Sequence, residues 1–238
     1  MTPELETLKR WIGESSRAVF FGGAGVSTES GVPDFRSVDG LYNQRYAYPP
    51  ETILSHTFFM KHPEEFFRFY REKMLFPNAQ PNPAHTALAR WEAQGRLACV
   101  ITQNIDGLHQ AAGSRNVCEL HGSVHRNFCM RCHRFYSLAD VMALRGVPRC
   151  SCGGIIKPDV VLYEEALDDN TVAGAVSAIR HADLLIVGGT SLTVYPAAGL
   201  LQYYRGHRLV LINRDETPYD SYADLVFHDS LGKIFSQL

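Results

Sequence analysis

The chain has 238 residues, of which 45% are hydrophobic and 20% charged, and its formal net charge is −2. This composition excludes wholesale disorder, and the near-neutral charge argues against a broad nucleic-acid-binding surface. The length suits one full domain with a small module, which leaves room for a sizeable core. No run of about 18 apolar residues is present, so the sequence predicts neither a membrane span nor a membrane partner.

An amphipathic helix is predicted at the start of the chain. Thr2 and Pro3 are typical of an N-cap and a first helical position, and apolar residues from Leu5 to Ile12 recur at helical spacing up to about Glu14. This charged segment has no apolar signal core, so we expect an intracellular, cytoplasmic protein.

Five short apolar runs then predict buried strands, with helical patterns between them. The runs cover residues 18–21, 97–102, 183–187, 209–212 and 224–227, and helices are predicted near 83–94 and 169–180. Buried strands that alternate with helices indicate an α/β fold with a mainly parallel, doubly wound sheet. Ligands bind outside the carboxyl ends of such strands, where this sequence places small and polar residues.

A glycine loop follows the first predicted strand. Gly23-Ala24-Gly25 would let backbone N–H groups approach a phosphate, although tight turn formation accounts for the same residues. The usual dinucleotide fingerprint needs glycine where this chain has Thr28, and no Gly-Lys-Ser/Thr follows as in a Walker loop. Together with the missing ribose-binding acid, this disfavours a hydride-transferring dehydrogenase.

The second predicted strand ends in a polar turn that is followed by a histidine. Asn104 and Asp106 favour turns, but Gln103-Asn104-Ile105-Asp106 is more polar than a turn requires. His121 lies between this turn and a cluster of cysteines. Histidine is the side chain best suited to act as a general base near neutral pH, so His121 is a candidate catalytic residue.

Four of the six cysteines lie close together in the sequence. They are Cys129, Cys132, Cys150 and Cys152. Two such thiol pairs predict a tetrahedral Zn²⁺ site, and a closed set of four thiolates makes that site structural. Cys99 and Cys118 lie in or near apolar segments and are interpreted as core thiols.

Six segments, taken in order, carry a resemblance to a known family. They are residues 23–36 (GAGVSTESGVPDFR), 102–109 (TQNIDGLH), 119–122 (ELHG), 157–161 (KPDVV), 189–192 (GTSL) and 211–213 (LIN). These segments resemble the hallmark motifs of the sirtuins, and the resemblance covers almost the whole chain. The length is similar to that of compact bacterial members.

The resemblance implies an NAD-dependent protein lysine deacylase with a Rossmann-like large domain and a smaller zinc-ribbon and helical domain. It assigns 1–38, 81–124 and 158–238 to the large domain, and the insertions 39–80 and 125–157 to the small one. It also implies nicotinamide release and O-acyl-ADP-ribose formation, with His121 as general base on a ribose hydroxyl and Asn104 as a second catalytic residue.

The resemblance also implies the binding residues. Cofactor contacts fall at Gly23, Ala24, Gly25, Thr28, Phe35, Arg36, Gln103, Asn104, Ile105, Asp106, Gly189, Thr190, Ser191, Asn213, Arg214 and Ser230. Val160 would pair with the substrate peptide, and Phe67 and Tyr70 fall at acyl-pocket positions. Neither of these two residues is cationic, so we expect acetyl-lysine to be preferred over succinyl- or malonyl-lysine. One departure stands at Glu164, where the family commonly has glycine.

Two alternatives remain open at this point. A mono-ADP-ribosyltransferase would use the same cofactor on the same fold. A nucleic-acid-binding zinc ribbon would instead account for the cysteines and the nearby Arg126, Arg131, Arg134, Arg145 and Arg149. The second alternative leaves the glycine loop and the 103–106 turn without a role, so we expect acyl-lysine proteins as partners and no specific nucleic acid.

Overall fold

The computed structural model describes residues 2–35, 40–41 and 46–238. Its helices within those ranges are α1 Pro3–Glu14, α2 Pro50–Ile53, α3 His56–Lys61, α4 Pro63–Lys73, α5 Pro83–Ala93, α6 Leu108–Ala111, α7 Leu138–Ala143, α8 Asp169–Arg180 and α9 Leu231–Phe235. Its strands are β1 Ala18–Gly22, β2 Leu97–Thr102, β3 Val117–Glu119, β4 Gly122–Cys129, β5 Phe135–Ser137, β6 Ile156–Val160, β7 Leu184–Gly188, β8 Leu209–Ile212 and β9 Leu225–Phe227. No helix in this described part of the chain is both long enough and apolar enough for a membrane crossing.

The large sheet has six parallel strands in the order β3-β2-β1-β7-β8-β9. Counted along the chain, that order is 3-2-1-4-5-6, which is the doubly wound Rossmann arrangement. The strands predicted from apolar runs are confirmed. The edge strand β3 was missed, because its three half-buried residues are too few to show a period.

Both faces of this sheet are covered, which explains why β1 is buried throughout. Phe20 packs with α1, α5 and α9 on one face. Val19 and Phe21 pack with α8 and residues 197–203 on the other. Successive side chains of a strand point to opposite faces, so a continuous apolar run is what a doubly covered strand requires. Burying a side chain such as Phe20 contributes roughly 1.5–3 kcal/mol.

A second, antiparallel sheet has the strand order β5-β4-β6, and its β4 ends at Cys129, the first of the four clustered cysteines. Its β4 crosses the expected domain boundary at 124/125, and β6 crosses that at 157/158. The helices α2, α3 and α4 form an aromatic cluster whose buried rings include Phe59 and Phe66, 4.9 Å apart between ring centroids. The helical character predicted for residues 40–80 is confirmed in α2–α4.

Candidate active site

A cavity of ≈ 400 Å³ lies at the carboxyl ends of the central parallel strands. Loops that follow β1, β2, β7 and β8 form one side of it, and Val160 at the end of β6 lies on its wall. The strand order reverses between β1 and β7, and this is the switch point at which open α/β sheets bind their ligands. The polar turns predicted from the sequence therefore meet at one place.

The glycine loop after β1 is held against the loop after β7. The Gly25 N–H donates to the Gly189 carbonyl at 2.8 Å, and the Gly23 N–H donates to the Gly188 carbonyl at 3.2 Å. A Cβ atom at position 25 would lie 2.7 Å from the Gly189 Cα, so the two backbones can approach only without a side chain there. This close contact between the two backbones is what the tight-turn interpretation requires. The same loop also lines the cavity.

A hydrogen-bonded network of polar side chains forms the floor of the cavity. The Ser27 hydroxyl donates to Asp106 Oδ2 at 2.7 Å and accepts a hydrogen bond from Asn104 Nδ2 at 3.0 Å. The Leu108 N–H donates to Asp106 Oδ1 at 2.9 Å, so the carboxylate is fixed at both oxygens. Asn104 and Asp106 thus do more than form a turn, because their side chains are oriented toward each other through Ser27.

His85 lies behind this network, and its sequence position gives no sign of that role. Burial lowers the pKa of His85 to about 4, against the opposing charge of Asp106. The Asn82 N–H donates to His85 Nδ1, which leaves the proton of the neutral ring on Nε2, 3.5 Å from Ser27 Oγ. Ser27 and His85 are distant in sequence, so only the folded chain shows that they belong to the site.

His121 reaches the cavity with a defined tautomer. Its Nδ1 lies 2.9 Å from the Gln103 carbonyl oxygen, which can only accept, so Nδ1 carries the proton and Nε2 keeps its lone pair. Burial lowers the pKa of His121, opposed by the hydrogen bond to Gln103. The imidazole is therefore neutral at physiological pH and can take a proton at Nε2.

Backbone contacts fix His121 between the two sheets. The Leu120 N–H donates to the Thr102 carbonyl at 2.9 Å, and the Val161 N–H donates to the His121 carbonyl at 3.0 Å. Gly122 has φ 75° and pairs with Val160, and a Cβ atom there would lie 1.9 Å from the Asp159 oxygen. Glycine at position 122 is therefore what allows His121 and the end of β6 to lie side by side.

Most residues expected to contact the cofactor line this cavity. They are Gly23, Ala24, Gly25, Thr28, Phe35, Gln103, Asn104, Ile105, Asp106, Gly189, Thr190, Ser191, Asn213, Arg214 and Ser230. Arg36 lies outside the described residues. Gln103 connects two of the loops, because its Nε2 donates to Thr190 Oγ1 at 3.1 Å.

Phe67 and Tyr70, which the resemblance puts at acyl-pocket positions, are not among the residues that line the cavity. Both are buried in the aromatic cluster, where the Tyr70 ring stacks on Phe66 with 5.6 Å between centroids. They share the apolar stripe of α4 that faces the neighbouring helices. Lys73, the last residue of α4, and Met74 after it line the cavity instead.

Glu164 adopts a left-handed backbone conformation that favours glycine. Its φ is 75°, and its carboxylate accepts a hydrogen bond from the Thr57 N–H at 2.9 Å. That contact lowers the pKa of Glu164 and holds the segment after β6 against α3. The departure from the family pattern is therefore accommodated by a side-chain contact that glycine could not make.

The four clustered cysteines form a compact thiol site in the small module. Their Sγ atoms all lie within 4.8 Å of one another, with Cys129 and Cys152 at 3.4 Å and Cys132 and Cys150 at 3.6 Å. A tetrahedral zinc site with Zn–S bonds of about 2.3 Å needs sulfur atoms about 3.8 Å apart. The donor set and its spacing therefore fit Zn²⁺.

Comparisons with known proteins agree with this architecture. A family model described as "Sir2 family" matches residues 23–196. A Clostridium perfringens protein named "NAD-dependent protein deacetylase" is 58% identical over 242 residues, covering 100% of this chain and 99% of the relative. A solved Sir2 structure with a deacetylated p53 peptide and 3′-O-acetyl ADP ribose superposes with TM-score 0.91 at 39% identity, covering 98% of this chain and 96% of the other. Another, described as "Sir2-p53 peptide-NAD+", gives 0.87 at 39% identity and covers 100% and 97%. The chain belongs to the Sir2 family.

Proposed function

We propose that this protein is an NAD-dependent lysine deacetylase that acts on acyl-lysine in protein substrates. The observation that carries the proposal is His121, a neutral imidazole with an unprotonated Nε2 in the cavity where the strand-end loops meet. The relatives named above support it, since one is named a deacetylase and two structures hold peptide with NAD⁺ or acetyl ADP ribose.

The residues of the cavity fit NAD. The small residues Gly23, Ala24 and Gly25 leave room for the phosphates at the ends of β1 and β7, and Thr28 lies on the same part of the cavity wall. When bound, NAD supplies an ADP-ribosyl group that accepts the acyl oxygen, with nicotinamide as the leaving group. The proposed contacts divide along the cavity: Phe35, Arg36, Ile105 and Asp106 at the nicotinamide end, Gln103 and Asn104 at its ribose, and Gly189, Thr190, Ser191, Asn213, Arg214 and Ser230 at the adenosine half.

Side chains of the protein then orient the ribose hydroxyl and accept its proton. His121 Nε2 accepts a proton from a ribose hydroxyl, while the hydrogen bond from Nδ1 to Gln103 stabilises the imidazolium that forms. The Asn104 amide, oriented by Ser27, holds the hydroxyl in place. Neither Asn104 nor Gln103 has a titratable atom, and the Asp106 carboxylate already accepts hydrogen bonds at both oxygens, which favours His121 as the general base.

The peptide would bind as an added strand beside Val160. The end of β6 lies on the cavity wall, and Val160 pairs with Gly122 of β4 on one side only. Because β6 is an edge strand of the described small sheet, its other side can take an extended peptide next to His121. The four cysteines would hold a structural Zn²⁺ in the same module. We also propose the expected domain division and a cytoplasmic location. The cytoplasmic location is supported by six cysteines that form no disulfide.

Incubation of an acetyl-lysine peptide with and without NAD, followed by mass spectrometry, tests the function. We expect deacetylated peptide, nicotinamide and O-acetyl-ADP-ribose in equal amounts, and only with NAD. ADP-ribosylated protein without deacetylation would favour the mono-ADP-ribosyltransferase instead. Reduction of NAD, seen as NADH absorbance, would contradict both the deacetylase and the mono-ADP-ribosyltransferase.

We expect acetyl-lysine to be preferred over succinyl-lysine when two peptides of one sequence compete. Leu54, Met74 and Leu162 are among the apolar residues that line the cavity together with Val160. A carboxylate buried there without a partner costs on the order of several kcal/mol. The measurement is the ratio of kcat/KM for the two peptides.

Lys73 provides the control for that comparison, because it is a cation on the cavity wall. Its ammonium already lies 3.2 Å from the Glu72 carboxylate and over the Tyr46 ring. Lys73→Met should therefore leave the acetyl preference unchanged. A succinyl peptide that matches the acetyl peptide in the parent, and loses that parity in Lys73→Met, would show that Lys73 pairs with acidic acyl groups.

A further inference from the structure

Two cysteines outside the zinc cluster lie side by side on neighbouring strands of the large sheet. Cys99 on β2 is buried, Cys118 on β3 is half-buried, and their Sγ atoms are 3.6 Å apart. We propose that Cys99 and Cys118 are a peroxide-sensitive thiol pair whose oxidation to a disulfide displaces His121 and stops deacetylation. The loss of deacetylation rests on the proposed function, whereas the disulfide does not.

The two thiols have different chemical environments, which sets the order of reaction. Cys118 is the more accessible, at the edge of the sheet, and its Sγ lies within hydrogen-bond distance of the Cys99 Sγ, where either thiol can donate. This contact lowers the pKa of Cys118 to about 7 and raises that of Cys99. Cys118 therefore supplies the thiolate that reacts first, and Cys99 is the thiol that resolves it.

The oxidation balances with one peroxide. The Cys118 thiolate attacks one oxygen of hydrogen peroxide, so that an S–O bond forms, the O–O bond breaks, and hydroxide leaves and takes up a proton to become water. Cys118 is thereby oxidised to a sulfenic acid. The Cys99 sulfur then attacks that sulfur, the S–S bond forms, the S–O bond breaks, and a second water leaves with the Cys99 proton. Two thiols and one peroxide give one disulfide and two waters.

Because of the strand register, forming this disulfide has to move one of the two strands. Cys118 pairs with Ile101, so Cys99 lies two positions earlier and the thiols approach diagonally on one face. Diagonal positions on neighbouring strands have Cα atoms about 7–8 Å apart, which exceeds the usual span of a disulfide, so closing the 3.6 Å sulfur separation to a bond requires backbone movement. The strand β3 has three residues and β2 as its single neighbour in the described sheet, so it is the element that can shift.

A shift of β3 reaches the catalytic base directly. Three residues after Cys118 comes His121, whose position depends on the Leu120 N–H bond to Thr102 and the Nδ1–H bond to Gln103. Both acceptors follow or belong to β2, so movement of β3 along β2 breaks this alignment. Oxidation should therefore reduce kcat, with little change in NAD binding to the loops on the far side of the cavity.

Trypsin digestion after peroxide treatment tests the disulfide without interference from the zinc cluster. Cleavage at Arg96, Arg115 and Arg126 places Cys99 in the peptide 97–115 and Cys118 in 116–126, and neither peptide contains a zinc-cluster cysteine. After free thiols are blocked, we expect these two peptides to be linked, and dithiothreitol to separate them. Both peptides found fully blocked as thiols, or Cys118 found only as a sulfenic acid, would overturn the proposal.

Activity measurements with matched variants test the consequence. In the parent, peroxide should lower deacetylation by at least about 10-fold, since a displaced base forfeits part of its usual ~10²–10⁴-fold contribution. Dithiothreitol should restore it. Cys99→Ser and Cys118→Ser should each be active before treatment and resist peroxide, with zinc content unchanged. Equal sensitivity in these variants, or zinc release that accompanies inactivation, would overturn the link to His121. The linked peptides are detected even if the protein deacetylates nothing, so the two proposals fail separately.

Discussion

His121→Ala lowers kcat/KM for deacetylation by about 10²–10⁴-fold, the usual contribution of a positioned general base. The physical reason is that Nε2 is the unprotonated ring nitrogen in the cavity, and the alanine variant has no group there that can take the hydroxyl proton. Removing the ring leaves the backbone bonds of Leu120 and Val161 intact. The fold and NAD affinity should therefore persist. Single-turnover deacetylation measures the chemical step, and thermal shift with NAD measures binding.

The matched control is His207→Ala, which removes an exposed histidine that is not among the residues lining the cavity. It should deacetylate like the parent. A folded His121→Ala variant that retains near-normal turnover would require another base, and no other histidine among the described cavity-lining residues is available to serve.

Loss of zinc should unfold the small module and abolish deacetylation. Apparent binding free energies of structural Zn²⁺ in small peptides are about 10–16 kcal/mol, and this energy is folding energy when the site forms only in the folded state. Apart from the cysteines, the module's own core holds only Val141, Ile156 and the half-buried Tyr136 among the described residues. Cys150→Ser should therefore lose the metal and show a large drop in melting temperature. Elemental analysis and calorimetry provide the two measurements.

Cys118→Ser is the control, because it removes a thiol outside the cluster and should retain one zinc per chain. Activity should be lost with the metal since β6 runs from the zinc module to Val160 on the cavity wall. A Cys150→Ser variant as stable as the parent, or freshly purified protein without zinc, would count against a structural metal.

Much of the large sheet could be predicted because a strand covered on both faces must be apolar throughout. Phe20 and Phe21 show this, each facing a different layer of helices. The cysteine site could be predicted as well, since four closely spaced thiols in a reducing compartment are typical of metal binding.

Features that depend on how distant elements meet could not be predicted. Ser27 and His85 become neighbours only when α5 packs beneath the glycine loop. Phe67 and Tyr70 lie on one stripe of α4, and the sequence alone does not say whether that stripe faces a cavity or other helices. The strand β3 gave no periodic signal, although it leads directly to His121, the proposed general base.

The pairing of Gly122 with Val160 has a consequence for how the enzyme would choose among proteins. The His121 carbonyl is bonded to the Val161 N–H, so the separation between the base and the proposed peptide strand is set by main-chain geometry. Residues flanking the acylated lysine then alter how long a peptide stays bound, while the alignment of the lysine with the base is the same for each. Such an enzyme ranks its targets by accessibility of an extended segment, and its sequence preferences should appear in KM with kcat nearly constant.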